Sequence, residues 1–298
     1  MHFGVREICN VVFKATKDNQ RVGATKFPKG APVIYFDSLK TSSLEQAVTT
    51  VYAQGGRGNT RLIAWDGEKQ LTFTMEDALI SEMGLAILAS AKLYKAGAKN
   101  GNGSGNNTDN TLIVHVTETV NAGELKLSQA ATTKGNTTPY VFPLDGDGEI
   151  IGTAVKATIT GQTLTKPTFT DVTEGNVKGY LVDYYTERTE KATQIDIEPE
   201  CFGGNFYIEA DTLFRDKQGA DHAAQFIIPN GKVQSNFTFS LASSGDPSTF
   251  TFTVDAFPGY INGDLTKKVM ASIQILEDDV AIGVDDAAGD DDTEISEG

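Results

Sequence analysis

Apolar and polar positions alternate with a period of two along most of the chain. Glu7–Lys14 (EICNVVFK) and Ala31–Phe36 (APVIYF) are rich in β-branched and aromatic residues, which suits half-buried strands. Lys17-Asp18-Asn19-Gln20 and Pro28-Lys29-Gly30 between them read as turns. The clearest pattern covers residues 48–77. Val48–Ala53 predicts a strand, Gly55–Asn59 a loop, Arg61–Trp65 a second strand and Gln70–Met75 a third. Asp66-Gly67 reads as a two-residue type I′ hairpin turn, because glycine supplies a positive φ there. Glu76–Ile80 predicts the opening of a helix: Leu79, Met83, Ala86, Ile87 and Leu93 fall at helical spacing and form one apolar face.

Short strands are predicted beyond it, at Thr111–Thr117, Glu124–Leu127, Ile150–Ile159 and Gly179–Tyr185, with turns at Asp145–Gly148 and Glu174–Asn176. The last third adds Gln194–Ile197, Phe206–Ala210, Ala224–Ile228, Asn236–Leu241, Thr249–Asp255 and Val269–Leu276. Phe237, Phe239 and Leu241 alternate with Thr238 and Ser240, and Phe250, Phe252 and Val254 with Thr251 and Thr253. With Gly245-Asp246-Pro247 between them, these two runs predict an antiparallel hairpin with one apolar and one hydroxylated face. The expected fold class is mainly β: an antiparallel sandwich or barrel with long hairpins and a packed α-helix. Lys99–Asn110 has no apolar residue and reads as a loop tip or linker.

Charge changes this picture at one end. The net charge is −15, yet the stretch from Glu277 onward holds ten acidic residues and no basic one, leaving −5 for residues 1–276. Residues 277–298 are therefore expected to be a disordered acidic tail, either a solubility tail or a contact for a basic surface. No basic stripe suggests nucleic-acid binding. No apolar run approaches the roughly 20 residues that span a bilayer. Met1–Glu7 lacks a charged segment followed by an apolar one, so no signal peptide is expected and synthesis and folding are placed in the cytosol. Cys9 and Cys201 are too few for a disulfide framework.

Candidate chemistry is thin. His2, His115 and His222 stand beside no base or ligand motif. Asp145-Gly146-Asp147-Gly148-Glu149 resembles the start of a calcium loop, but its twelfth residue is Lys156 rather than Glu. Gly55-Gly56-Arg57-Gly58-Asn59 is followed by a strand, so neither the P-loop nor the dinucleotide fingerprint fits, and it reads as a loop tip or an assembly contact. No nucleophile elbow occurs. The sequons at Asn107, Asn136 and Asn236 are chance matches in a cytosolic protein. No catalytic residue, cofactor or metal is expected. A carbohydrate-binding or hydrolytic β module would need exposed aromatics beside paired carboxylates.

The run Tyr52–Asn59, Leu62–Gly67 and Leu71–Ser81, together with Phe226–Phe239 and Ser244–Phe250, resembles the tail tube proteins of tailed bacteriophages. The resemblance implies a virion structural protein without enzymatic activity. It implies a β-sandwich core with a packed helix, assembly into stacked, usually hexameric rings, and a long hairpin contributing to an inner barrel around the lumen. Implied partners are further copies of the chain, the tape measure, baseplate and tail terminator proteins, and a sheath if the tail contracts. DNA would pass through the lumen without specific binding, and no membrane is involved. The alternative is another virion part, a baseplate or head-decoration component. On this resemblance residues 1–98 and 186–276 form a discontinuous core, and residues 99–185 an inserted β module. The lumen should be neutral to acidic, lined mostly by Thr, Ser, Gln, Asn and Asp, because a fixed cation would hold phosphate. Thr72, Thr74, Thr238, Ser240, Thr251 and Thr253 are the lining candidates, with Arg57 and Arg61 directed at a neighbour's carboxylates.

Overall fold

The computed structural model describes residues 2–5, 7–23, 25–97, 111–134, 137–238, 243–244, 248–261 and 264–276. The predicted loop at 99–110 and the predicted acidic tail at 277–298 lie outside the described residues. Two compact units divide the chain: Met1–Lys92 with Asp196–Gly298, and Leu93–Ile195. The chain is mainly β and its sheets are antiparallel, in agreement with the expected fold class.

The first unit opens with β1 (Phe3–Val5), β2 (Asn10–Ala15), β3 (Gln20–Val22), β4 (Thr25–Phe27), β5 (Pro32–Phe36), β6 (Leu39–Gly55), β7 (Thr60–Asp77) and helix α1 (Glu82–Leu88). The chain leaves along β8 (Lys92–Lys95). The second unit holds β9 (Leu112–Asn121), β10 (Tyr140–Leu144), β11 (Val155–Lys156), β12 (Ile159–Thr160), β13 (Thr163–Leu164) and β14 (Gly179–Arg188). β15 (Thr193–Asp196) pairs with β8 on the return. β16 (Asn205–Asp216), β17 (Asp221–Val233), β18 (Phe250–Ala256) and β19 (Ser272–Ile275) complete the first unit.

In the first unit a nine-stranded sheet runs in the order β5-β2-β16-β17-β18-β7-β6, with β1 added on β16 and β19 on β17. Alternation decides its two faces, because successive side chains in a strand point opposite ways. Val11 and Phe13, Phe206 and Ile208, Phe73 and Met75, and Phe252 and Val254 all face one buried core. Phe36 packs edge-on against Phe13 at 5.3 Å and against Phe252 at 5.0 Å between ring centroids. Each such side chain removed from water contributes about 1.5–3 kcal/mol. Helix α1 covers this face. Ser81 caps it by accepting a bond from the Gly84 amide at 3.0 Å. A Cβ on Gly84 would lie 3.2 Å from Ser81 Oγ, so glycine leaves room for the capping hydroxyl.

Three local expectations fail in this unit. Asp66-Gly67 is no turn: β7 runs straight through it, and the hairpin closes at Gly56–Asn59, where Gly56, Gly58 and Asn59 all have positive φ. Gly67 and Glu68 instead lie opposite the single residue Thr49, which makes a β-bulge. The Glu68 amide donates to Thr49 Oγ1 at 2.8 Å, and a Cβ on Gly67 would lie 2.8 Å from that oxygen. Glycine is there for close approach rather than for a turn. The helix starts at Glu82 rather than Glu76, because Glu76 and Asp77 stay in the β7 ladder opposite Thr41 and Leu39. Leu79 is exposed and Leu93 belongs to β8. Finally, Asn236–Thr238, the described part of the predicted strand at 236–241, is irregular; the rest of that strand and the turn at Gly245-Asp246-Pro247 lie outside the described residues, and β18 pairs with β7 and β17.

In the second unit a four-stranded sheet has the order β11-β10-β14-β9. Its core is Val120, Leu127, Val141, Leu164, Tyr180, Val182 and Tyr184. Tyr184 donates its hydroxyl to Glu118 Oε1 at 2.7 Å and ties β14 to β9. Burial pushes the Glu118 carboxyl up, but the bonds from Tyr184 and from the Ser128 amide outweigh it and hold it below its usual value. The predicted strand at Glu124–Leu127 is a loop, with Leu125 at φ 47 and a lone bridge from Lys126 to Thr163. Ile150–Ile159 breaks into bends around the two-residue β11.

Candidate functional site

The polar face of the nine-stranded sheet collects several residues singled out in the sequence. Register puts Thr253 opposite Thr74, Thr251 opposite Glu76, and Asp255 opposite Thr72. On the other flank of β7, Ser43 lies opposite Thr74 and Glu45 opposite Thr72. Directly opposed residues share a face. Ser43, Glu45, Thr72, Thr74, Glu76, Thr251, Thr253 and Asp255 therefore form one patch, while Phe73, Met75, Phe252 and Val254 point into the core beneath it. Four of the six lining candidates, Thr72, Thr74, Thr251 and Thr253, come together here. Thr238 is exposed on irregular chain, and Ser240 lies outside the described residues. The acidic members Glu45, Glu76 and Asp255 fit the expected neutral-to-acidic character but were not among the named candidates, although the same alternation places them on this face. Lys232 stands in register with Asp255 at one end of the patch, and Gln234 donates to both Asp255 oxygens at 3.0 and 3.1 Å.

Beyond the patch β6 and β7 continue as a bare two-stranded arm. β18 pairs with β7 from Thr72 to Asp77, and past that point β7 has β6 alone as partner among the described residues. Every residue from Gly56 to Gln70 is exposed. Arg57 sits in the closing turn. Arg61 lies on β7 with its guanidinium 4.1 Å from the centre of the Tyr52 ring. Neither arginine has a carboxylate partner among the described residues.

No group of three or more His, Cys, Asp or Glu residues could hold a metal among the described residues. Asp145 folds its own loop, accepting the Asp147 and Glu149 amides at 2.9 and 3.0 Å. His115 pairs with Asp183 at 2.5 Å and His222 with Asp216 at 3.3 Å. Burial, and then its bond to Glu198 at 3.4 Å, push the Cys201 thiol up, the reverse of an activated nucleophile. Burial does the same to Cys9. Beside these groups the described residues present a large β framework with a polar sheet face and a projecting arm.

A family model described as the YomU/Tube protein family matches residues 20–273. The chain belongs to the YomU/Tube protein family. No curated protein matches it. The match takes in most of the nine-stranded sheet, from β5 to β18 with the arm, and the second unit, and it supports the resemblance to phage tail tube proteins. A YomU/Tube protein is a phage tube-like structural protein of the virion tail that assembles with other tail proteins. Among the described residues no helix is long and apolar enough to cross a membrane, which says nothing of a β-barrel.

Proposed function

We propose that this chain is the ring-forming subunit of a phage tail tube, stacking in rings, hexameric as in the family it resembles, to make a conduit for DNA ejection. The observation that carries the reading is the hydroxyl-and-carboxylate patch in register across β6, β7 and β18. A conduit for DNA has to lie close to phosphate without holding it. Each fixed cation on its wall would trap a phosphate and release counterions, whereas threonine hydroxyls and carboxylates do not. Six strand-triplets closing side by side would also remove the open edge of β6, which pairs with no strand on its outer side among the described residues. Arg57 and Arg61 would then meet carboxylates of a neighbouring copy. Residues 99–185 fit as an insertion into a core made by 1–98 and 186–276. The tape measure, baseplate and terminator proteins would bind the ends of such a tube, and a sheath its outside in a contractile tail.

Electron microscopy of the purified protein tests this. Long tubes with a central channel are expected. Closed single rings would favour a baseplate or head-decoration component, and monomers under all conditions would end the tube reading. A Thr74→Lys/Thr253→Lys variant should still form tubes but hold DNA in a manner that weakens steeply with salt. Unchanged DNA binding would mean that the patch lies away from the channel.

A further inference from the structure

The apolar side of the β6–β7 hairpin changes over along its length. Near the body, Leu44 opposite Phe73 and Ser42 opposite Met75 face the core, and the other side carries Ser43, Glu45, Thr72 and Thr74. β6 has no inserted residue between Thr41 and Gly55, so its even positions keep to one side throughout. At the tip the even side carries Thr50 opposite Asp66, Tyr52 opposite Ala64 and Gln54 opposite Arg61. The odd side carries Val51 opposite Trp65 and Ala53 opposite Ile63. The polar side of the base is thus continuous with the apolar side of the tip, and the changeover falls at the bulge formed by Thr49, Gly67 and Glu68. Val51, Ile63 and Trp65 are 63%, 55% and 54% exposed.

We infer that the arm beyond the bulge is a clasp that buries Val51, Ile63 and Trp65 on a second copy of this chain, and is not channel wall. The inference rests on the tube reading above. No described residue of the first unit covers this strip: Val51, Ile63 and Trp65 are exposed and lie on the side of the sheet away from the core. A two-stranded ribbon is marginal in water unless something packs on it. Apolar pairs left on a channel wall would serve neither solvent nor DNA. Two observations select another copy as the occupant. The stretch Gln46–Gln70 carries Arg57, Arg61 and Lys69 against Asp66 and Glu68, so the arm is net positive while residues 1–276 as a whole are at −5. It also supplies about as many residues as one side of a standard interface, roughly 20–30. Such a contact is head-to-tail, since the tip of one copy meets the body of the next, and it propagates instead of closing a dimer.

Trp65 is the sole tryptophan, so its fluorescence reports on this contact directly. In the unassembled protein its emission should be red-shifted and readily quenched by acrylamide. Assembly of the full chain should bring a blue shift and loss of quenching. An Ile63→Asp/Val51→Asp variant should keep the circular dichroism and melting of the unassembled chain but lose assembly. Tubes in which Trp65 remains red-shifted and quenched, or which form normally from the double variant, overturn the clasp and leave the tube reading standing. If the wild-type chain never assembles, the tube reading fails and the clasp with it.

Discussion

Two long hairpins of the same sheet have opposite surroundings. β16–β17 is flanked by β2 and β1 on one side and by β18 and β19 on the other, and alternate residues of β16, from Phe206 to Phe214, are buried. β6–β7 touches β18 only along its base, and its distal half is exposed on both sides. Both alternate, and both are rich in β-branched and aromatic residues. The difference teaches that a strand pattern states which segments pair, while the flanking strands decide whether an apolar residue is core or contact.

The largest effect expected from this contrast is on the embedded hairpin. Ile208 is fully buried at the centre of β16, and Ile208→Ala should cost about 2–5 kcal/mol in denaturant unfolding of the unassembled chain. A loss under 1 kcal/mol would mean that β16–β17 is no better supported than the arm. Next comes the bulge, where the arm meets the base. Gly67→Val brings a side chain against Thr49 and should cost about 1–3 kcal/mol, as overpacking does. No cost would show that the bulge re-forms freely.

A smaller effect is expected at the closed end of β16–β17, where Arg215 clasps both oxygens of Asp221 at 2.6 Å. The bond from Arg215 holds the Asp221 carboxyl below its usual value. Its stabilisation is therefore complete above the unfolded aspartate range, near 4, and is lost as pH falls through the depressed folded value. The pair is exposed, so Asp221→Asn should only slightly reduce the loss of melting temperature between pH 6 and pH 3. An increased loss would reverse the sign argued here. The smallest change should follow Trp65→Ser in the arm, within about 0.5 kcal/mol for the unassembled chain. A loss of 2 kcal/mol or more would place Trp65 in a core of its own molecule.

Most strands were legible because half-burial imposes alternation. β2, β5, β14, β16 and β18 lie where Val, Ile, Phe and Tyr recur at every second position. What escaped has local causes. β10 contains Pro143, which interrupts a strand pattern, yet it pairs through with Tyr180 opposite. Asp66-Gly67 carries the composition of a turn, and only the partner residue Thr49 shows why glycine is needed there. The helix was drawn too early because Glu76 and Asp77 look like a first helical turn until β6 is laid beside them. The hydroxyl patch was partly legible from Thr72, Thr74, Thr251 and Thr253. Its acidic members and the apolar tip needed the register, since neither Glu45 nor Trp65 reveals its face without a partner strand.

The order of strands in the sheet also bears on how the chain is made. β2 pairs with β16, so that Lys14 bonds to Glu209 across 195 residues of sequence. At synthesis rates of about 5–20 residues per second, β2 waits on the order of 10–40 s for its partner. Throughout that time Val11 and Phe13 have one flank of the nascent sheet missing. The second unit, whose strands β9 to β14 all precede β16 in the chain, can close during the same interval. A ribosome-bound chain stopped just before β16 should therefore carry a protease-resistant second unit and a first unit still open to cleavage, a state in which chaperones would find their substrate.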